Sequence, residues 1–412
     1  MKPRRVVITG IGVIAPNGIG KEAFWDALVN GRSGIKKITL FEPKGLPSDV
    51  AGEVTEFDPA MFVPCRYVEQ RGRATHLGVA AARMALEDSS VPPGTPIDMM
   101  VGMTFPAMDY VEELVKQFST TGAYRKEDLF RLYTSVSPNM VAMDIAAVCG
   151  IEGLRFTISN ACSSGALAII EAFYRIRQGK SKICLAGGVD ACLSYLSFAA
   201  LIASGFHVVS DLPPEKQSRP YDRLRTVGVV SEGAGFMVIE SLDHATARNA
   251  SIYGEILGVA VSTSPPSCDP AVLRSGLAHC IKESLENAHV QLGAIDYICS
   301  HGPSLQVFDY IETLAFKDVF GSFAYCIPIS SIKSMIGNPM AASGPLQVAA
   351  ALLAAKHSLI PPTINLDFPD PLCDLDYVPH HPRANRIDIA LVDSHGFDNV
   401  DASIVLGSGG AR

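Results

Sequence analysis

Cys162 is the residue of this sequence whose surroundings most favour covalent chemistry. It lies in SNACSSG at residues 159–165, between a short run that predicts a strand and an apolar run that predicts a buried helix. At such a turn, free backbone N–H groups and the positive end of the helix would favour the thiolate and lower the thiol pKa. The same N–H groups could hold the oxyanion of a thioester intermediate. Because most cysteines are ordinary packed side chains, this context alone leaves a structural role open.

Further polar residues that could do chemistry follow apolar elements in the second half of the chain. His301 comes directly after a predicted strand, a place where a lone histidine is more often structural than catalytic. Lys333 and Asn338 lie in SSIKSMIGNPMAASG, a glycine-bearing loop before an Ala-rich helix. The small and apolar neighbours of Lys333 favour a buried ion pair over a solvated charge. The candidate partners, which could equally form a polar helix face, are Asp309 and Glu312.

Strands and helices alternate along the chain, which predicts parallel or mixed sheets covered by helices. A weak similarity between residues 183–191 and 389–397 suggests two related halves, which we place at residues 1–250 and 251–412. The predicted strands are Val6–Ala15, Leu154–Ile158, Ile183–Gly188, Gly233–Glu240, Gly254–Val261, Ile295–Ser300, Asp388–Asp393 and Ala402–Leu406. The predicted helices are Lys21–Asn30, His76–Asp88, Gly165–Gln178, Leu242–Asn249, Pro270–Asn287 and Val348–His357.

Composition excludes several classes of protein. Of the 412 residues 48% are hydrophobic and 18% charged, which fits doubly covered sheets or a buried subunit interface. The net charge of −8 argues against a nucleic-acid-binding protein. The ten cysteines are dispersed without a CxxC pair, which predicts reduced thiols and neither a disulfide scaffold nor a metal site. Without a signal peptide or an apolar run long enough to span a membrane, we expect a cytoplasmic protein.

The order of motifs along nearly the whole chain resembles the β-ketoacyl-acyl-carrier-protein synthases of the thiolase-like superfamily, in particular the type II elongating branch. This resemblance implies an α/β protein of thiolase-like fold, with two similar halves in α-β-α-β-α layers and a mixed five-stranded sheet in each. The matching motifs are RRVVITGIGVIAPNG at 4–18, AGEVTEFDP at 51–59, ACSSG at 161–165, SRPYDR at 218–223, SEGAG at 231–235, SSIKSMIGN at 330–338 and PPTINLDFPDPLCDLDYVPH at 361–380.

The resemblance also implies a mechanism, a decarboxylative Claisen condensation in two half-reactions. Cys162 would accept the acyl chain, with the backbone N–H groups of Cys162 and Phe397 as the oxyanion hole. His301 and Asn338 would bind the malonyl thioester carbonyl, and Lys333 would orient the polar groups around them. No cofactor is implied beyond the phosphopantetheine that arrives on the acyl carrier protein.

Other site residues and partners follow from the same resemblance. The expected partners are an acyl carrier protein and a second subunit, which makes a homodimer or a heterodimer with another ketosynthase-like chain. Phe105, Met108 and His395 match positions that line the substrate pocket. The basic residues that would dock the acidic carrier are Arg66, Arg71, Arg73, Arg125 and Lys126.

This sequence departs from the family pattern around the expected site. Asn338 stands where this branch ordinarily has a second histidine, and an amide can donate a hydrogen bond but cannot carry a proton. Three functions therefore stay open: an elongating ketosynthase, a cysteine acyltransferase that does not decarboxylate, and a non-catalytic partner similar to chain-length factors. Three other segments depart from the family pattern. They are Gly302-Pro303-Ser304-Leu305 after His301, Gln347 where the family usually has a glutamate, and His395 with Gly396-Phe397-Asp398-Asn399 in the segment near the C-terminus that gates the site.

Overall fold

The computed structural model describes residues 3–207, 210–226 and 228–409, along which strands and helices alternate. The strands are β1 (Val6–Ala15), β2 (Gly18–Ile19), β3 (Ile35–Lys37), β4 (Val50–Gly52), β5 (Asp98–Gly102), β6 (Arg155–Ile158), β7 (Ile183–Asp190), β8 (Gly233–Ser241), β9 (Gly254–Thr263), β10 (Tyr297–Cys299), β11 (Ile329–Ser330), β12 (Leu359–Ile360), β13 (Arg383–Ala384), β14 (Ile389–His395) and β15 (Val400–Ser408). The helices are α1 (Lys21–Val29), α2 (Cys65–Gln70), α3 (Arg73–Ser89), α4 (Met108–Thr121), α5 (Lys126–Val136), α6 (Asn139–Cys149), α7 (Ser164–Arg177), α8 (Tyr195–Ala203), α9 (Leu242–Ala247), α10 (Pro270–Ala288), α11 (Gln306–Phe320), α12 (Lys333–Ile336) and α13 (Ser343–His357).

The central ladder of strands consists of two five-stranded halves of the same design. The first half has the order β6-β5-β7-β8-β1 and the second β9-β15-β14-β10-β11. In each half the outer three strands are parallel and the other pairings are antiparallel. The halves meet edge to edge where β1 pairs with β9, with Val6 opposite Ile256. The predicted pair of mixed five-stranded sheets is confirmed, and the edge pairing makes one continuous ladder of them.

The weak internal similarity of the sequence falls on corresponding strands of the two halves. Residues 183–191 contain β7 and residues 389–397 contain β14, and each strand is the central one of its half. The loop between α9 and β9 contains the predicted division at residue 250.

Helices form the other layers, with α7 and α13 packed between the two halves of the ladder. α3 covers β1 and β8 on one outer side, and α10 covers β9 and β15 on the other. Small residues let the central helices approach closely, because a Cβ on Gly165 would lie 2.2 Å from the carbonyl oxygen of Ala341. The N-terminal ends of α7 and α13 therefore meet in the middle of the protein, where residues from both halves can share one site.

Most predicted elements are present with shifted ends. α13 begins at Ser343, five residues before the predicted start, because Pro345 lies in the first turn, where a missing N–H costs no hydrogen bond. The sequence pattern predicts no element in residues 108–149, where the structure has α4, α5 and α6. In the described part of the chain, all ten cysteines are free thiols. No helix in that part is long and apolar enough to cross a membrane.

Candidate active site

Cys162 lies at the turn between β6 and α7, as the sequence predicts, and is 2% exposed. The turn contains a strained residue, since Ala161 has a φ of 45°, a conformation that costs about 1–3 kcal/mol outside glycine. Ser164 Oγ closes the turn by donating to the carbonyl oxygen of Ala161 at 2.6 Å and accepting from the N–H of Asn160 at 2.7 Å. This hydrogen bonding holds the sulfur at the start of α7.

A small cavity over the sulfur brings together side chains from distant parts of the chain. Its volume of about 10 Å³ leaves room for about one water molecule. Its reactive and polar lining consists of Cys162, His301, Asn338 and His395. The apolar lining consists of Phe206, Pro303, Leu305, Phe308 and Phe397.

Burial decides the protonation of the sulfur. It raises the pKa of the Cys162 thiol to about 11, although the Lys333 charge and a hydrogen bond from Asn338 lower it. This result corrects the expected lowering of the pKa, because desolvation of an enclosed sulfur outweighs the positive end of the helix. In the resting protein Cys162 is therefore a thiol, and its proton must leave before the sulfur attacks a carbonyl carbon.

His301 follows β10 and is held from both its main chain and its ring. The main-chain N–H of His301 donates to Glu312 Oε1 at 2.8 Å, and the main-chain N–H of Gly302 donates to Glu312 Oε2 at 3.1 Å. Lys333 Nζ lies 2.7 Å from the His301 carbonyl oxygen and 3.3 Å from Nδ1. Burial and the Lys333 charge lower the pKa of His301 well below its ordinary value, so the imidazole is neutral. Because an ammonium only donates, Nδ1 accepts and the ring proton sits on Nε2.

Lys333 is 1% exposed and is held by neutral acceptors. Besides its contacts with His301, its Nζ donates to Gln347 Oε1 at 3.4 Å. Gln347 Nε2 in turn donates to the main-chain carbonyls of Cys299 at 3.0 Å and Asp393 at 2.9 Å. Burial lowers the pKa of Lys333 to about 8.

The two carboxylates considered as ion-pair partners of Lys333 have other partners. Asp309 Oδ2 lies 3.1 Å from Arg225 Nε and accepts the N–H of Tyr221 at 2.8 Å. Glu312 accepts a hydrogen bond from the Tyr221 hydroxyl at 2.5 Å. It also accepts the main-chain N–H groups of His301 and Gly302, which follow β10. Among the ion pairs of the described residues, neither carboxylate is joined to Lys333. The ion-pair interpretation is therefore wrong, because both carboxylates are already engaged in holding the chain, and their full burial excludes the polar helix face as well.

Asn338 presents a defined end of its amide to the cavity. Its Oδ1 accepts from Ser343 Oγ at 2.9 Å and from the N–H of Met340 at 3.2 Å. Its Nδ2 therefore faces Cys162 and donates to Sγ at 3.7 Å. When a thioester is bound, the same N–H can donate its hydrogen bond to the thioester oxygen instead of the sulfur.

His395 and Phe397 close the cavity from the end of β14. His395 Nδ1 lies 2.8 Å from Asp401 Oδ1, and Nε2 lies 3.5 Å from Asp393 Oδ2. The rings of His395 and His301 meet edge to face with centroids 5.3 Å apart. Phe397 lines the cavity but is 59% exposed, so its ring forms part of the outer wall. The oxyanion role of its N–H stays a prediction.

The substrate-pocket residues predicted near position 105 differ in their relation to the site. Phe105 packs against the apolar cluster around Cys162, whereas Met108 begins α4 and lies outside that cluster. The carboxylate of Asp190 accepts the N–H groups of Phe105 and Ala341, each at 2.8 Å, and so joins segments beside Cys162. Burial raises the pKa of Asp190 to about 6. Asp190 is not among the site residues predicted from the sequence, although an acidic residue that ends an apolar strand is a signal.

The predicted carrier-docking residues fall into free and paired side chains. Arg66, in α2, and Lys126, at the start of α5, are exposed, and neither takes part in an ion pair within the described residues. The other three arginines have carboxylate partners, which are buried at Asp144, Glu232 and Asp128. The pairs are Arg71 with Asp144 at 2.6 Å, Arg73 with Glu232 at 2.7 Å and Arg125 with Asp128 at 2.8 Å.

A buried cysteine at a strand–helix turn, below neutral imidazole and amide donors, defines a site of the condensing-enzyme type on a thiolase-like fold. Comparison with known proteins gives the family. Residues 3–245 match the beta-ketoacyl synthase N-terminal domain, and residues 253–367 match the beta-ketoacyl synthase C-terminal domain. The chain belongs to the β-ketoacyl synthase family.

Individual relatives extend over almost the whole chain. The tetracenomycin polyketide synthase ketoacyl synthase alpha subunit of Streptomyces glaucescens is 36% identical, with 98% of this chain and 97% of the relative covered. The 3-oxoacyl-[acyl-carrier-protein] synthase 2 of Coxiella burnetii is 34% identical, with 98% and 99% covered. The solved ishigamide ketosynthase/chain length factor is 32% identical with a TM-score of 0.90, and 98% of this chain and 99% of that chain are covered. A type II polyketide synthase acyl-carrier protein in complex with its ketosynthase is 30% identical with a TM-score of 0.88, with 99% and 100% covered.

Proposed function

We propose that this protein is an active elongating ketosynthase of fatty-acid or type II polyketide biosynthesis. It condenses an acyl chain carried on Cys162 with a malonyl group carried on an acyl carrier protein, and carbon dioxide is released. The observation that carries the proposal is the orientation of Asn338, whose Nδ2 faces the sulfur because its Oδ1 is engaged by Ser343 and Met340. The amide therefore supplies the hydrogen-bond donor that decarboxylation requires.

The first half-reaction transfers the acyl group between two sulfur atoms. Cys162 loses its proton and attacks the thioester carbonyl of the acyl carrier, the bond to the pantetheine sulfur breaks, and that sulfur leaves as a thiol. In the second half-reaction the malonyl carboxylate leaves as carbon dioxide, and its electron pair forms an enolate. The enolate carbon attacks the acyl-Cys162 carbonyl and releases the sulfur. The reaction needs no cofactor beyond the phosphopantetheine of the carrier.

His301 and Asn338 provide paired donors for the enolate oxygen. Lys333 fixes the proton of His301 on Nε2, so that ring atom donates, and Nδ2 of Asn338 donates beside it. Preorganised donors that meet a developing oxyanion lower the barrier without having to reorient during the reaction. Replacing an imidazole by an amide at position 338 therefore keeps a donor, although it removes a group that could carry charge.

Substrate entry requires the cavity to enlarge. Its volume of about 10 Å³ cannot hold an acyl chain. Phe397 is the wall residue with most contact to solvent, and it meets Phe206 edge to face with centroids 6.4 Å apart. We place the entrance of the pantetheine arm at this aromatic pair.

The partners are an acyl carrier protein and a second ketosynthase-like subunit. Arg66 and Lys126 offer free positive charge to an acidic carrier, which supports docking at this face. β6 ends the ladder with Phe156 41% exposed, and α5 exposes Phe130 and Tyr133 by 67% and 73%. The edge strand β6 and the large exposed apolar side chains of α5 each support a subunit interface on this half of the protein. The reduced cysteines suit a cytoplasmic location.

The test measures the half-reactions separately. Wild type and Cys162→Ala are incubated with acyl carriers of several chain lengths, and intact mass reports the acyl adduct. Malonyl-carrier is then added, with any partner subunit present, and carbon dioxide and ketoacyl product are measured. We expect an adduct on wild type only, followed by both products. An adduct without products would favour the non-decarboxylating acyltransferase, and no adduct with any donor would favour the non-catalytic partner.

A further inference from the structure

The side chain of Met340 lies directly against the sulfur of Cys162. The thiol donates to the thioether sulfur of Met340, and the two sulfur atoms are 3.9 Å apart. This separation is a van der Waals contact, so no carbon atom fits between them. Met340 is 4% exposed, and the part of the chain that the structure describes does not place it in the lining of the cavity over Cys162. Met340 therefore occupies a space beside the sulfur that differs from that cavity.

The space that Met340 occupies belongs to an apolar cluster. Other members of this cluster are Leu193, Phe198 and Phe206, and Phe105 packs against it. During condensation the malonyl thioester needs the donors His301 and Asn338 while the acyl chain is still bonded to Cys162. The two groups must therefore leave the sulfur in different directions, and an alkyl chain is stabilised by apolar surroundings. We expect the acyl chain to extend towards Met340 and the cluster.

The main chain of Met340 is held in place, whereas its side chain is free to change conformation. The N–H of Met340 donates to Asn338 Oδ1 at 3.2 Å, and the N–H of Ala341 donates to Asp190 Oδ2 at 2.8 Å. Met340 has a φ of 49°, a conformation that persists in a residue other than glycine only where its surroundings enforce it. A methionine side chain is unbranched and has three rotatable bonds. An acyl chain can therefore displace the thioether end of Met340 without moving the main chain.

We infer that Met340 determines which acyl groups Cys162 accepts, by favouring those that are unbranched beside the thioester carbonyl. This inference rests on the proposed function, since it concerns the acylation of Cys162. A straight chain needs room for one carbon atom next to the carbonyl carbon, and rotation of the thioether end provides it. A second carbon at that position meets the part of the Met340 side chain that is fixed to the main chain. One additional carbon in an apolar pocket changes the rate by about 10- to 200-fold.

The experiment compares two isomeric acyl donors, the butyryl and the 2-methylpropanoyl thioesters of N-acetylcysteamine. Intact mass gives the single-turnover rate of Cys162 acylation, and each rate is divided by the rate at which the same donor acylates N-acetylcysteine in solution. This division removes the intrinsic difference in reactivity between the donors. We expect wild type to prefer the butyryl donor at least about tenfold. In Met340→Ala this preference should fall about tenfold, because the vacated space accepts the second methyl group.

Three further variants complete the test. Met340→Leu conserves the side-chain volume and should keep the butyryl preference. Met237→Ala removes the same side chain from the core at β8 and should also keep it. Met340→Gly carries the test if Met340→Ala does not fold, because glycine adopts a positive φ without strain.

The outcomes separate the inference from the proposed function. An unchanged butyryl preference in the folded Met340→Ala or Met340→Gly variant would overturn the inference. Equal corrected rates for the two donors in wild type would overturn it as well. Failure of wild type to form an adduct with any acyl donor would instead overturn the proposed function.

Discussion

Ser343 Oγ donates to Asn338 Oδ1 at 2.9 Å, and this bond determines which end of the amide faces Cys162. Ser343 begins α13, the helix that packs between the two halves, and is itself fully buried. The N–H of Met340 supports the same orientation. An asparagine can therefore present a fixed donor at the position where the family resemblance implies an imidazole.

Asn338→Ala should reduce condensation far more than it reduces acylation of Cys162. Loss of one donor to the enolate lowers turnover by about 100- to 1000-fold, whereas acyl transfer does not form this enolate. Carbon dioxide release measures the first effect and intact mass the second. Ser343→Ala, which frees the amide to rotate, should lower turnover less than Asn338→Ala does. A parallel loss of acylation in Asn338→Ala would contradict the separate role of this residue.

Condensation should decline as pH rises through about 8, where Lys333 loses its proton. The neutral amine can itself accept a hydrogen bond, so the proton of His301 is no longer held on Nε2 and the Nε2 donor is lost.

The same titration has the opposite effect on stability, which should increase as pH rises. The folded pKa lies below the unfolded value of about 10.4, so between these values the unfolded chain binds more protons and the free energy of unfolding rises with pH. The pH profile of turnover checks the first statement, and denaturant unfolding checks the second.

Lys333→Met tests whether Lys333 causes the decline of turnover near pH 8. It should lower turnover about 100-fold, remove the decline near pH 8 and raise the free energy of unfolding, because a buried charge held by neutral groups is removed. A decline that persists unchanged in the variant would assign it to another group.

Arg225→Met should destabilise the protein by about 3–5 kcal/mol, because a buried carboxylate is left without its cation. Arg225 is fully buried, pairs with Asp309 and lies 2.7 Å from Asp370. Burial raises the pKa of Asp309 to about 7 even beside the arginine, so lowering the pH below 7 should recover part of the loss. Urea unfolding at two pH values measures both effects.

The control for that variant is Lys37→Met at the surface. Lys37 lies 2.8 Å from Asp49, with its side chain 71% exposed, and its loss should cost no more than about 1 kcal/mol. Equal losses in the two variants would show that burial does not set the strength of the Arg225 network.

Arg66→Glu combined with Lys126→Glu should slow acylation from an acyl carrier about tenfold at low salt, by removing long-range attraction. The difference should shrink at high salt, where the charges are screened. Acylation from a small acyl-N-acetylcysteamine donor should keep the wild-type rate, because it does not use the docking surface. Lys37→Glu matches the change of charge at another surface position. Carrier-dependent rates equal to wild type at low salt would place docking elsewhere.

The sequence predicted the elements whose signal is local. β1 and α10 are long apolar or periodic runs, and the motif order identified Cys162, His301 and Asn338 as one site. The thiol pKa and the partners of Lys333 were predicted wrongly. Both depend on how completely the fold removes water and on which acceptors it brings close, and neither property is encoded in neighbouring residues. Asp190 escaped notice for the same reason, since the N–H groups that it binds come from other segments.

The closed cavity also determines how the protein responds to oxidants and thiol reagents. Reactivity of a cysteine needs both access and thiolate, and Cys162 has little of either until a substrate opens the site. Cys65, Cys268 and Cys326 are exposed. Oxidation or alkylation in storage will therefore modify these three thiols first, and crosslinked aggregates can form through them while the sulfur of Cys162 is preserved.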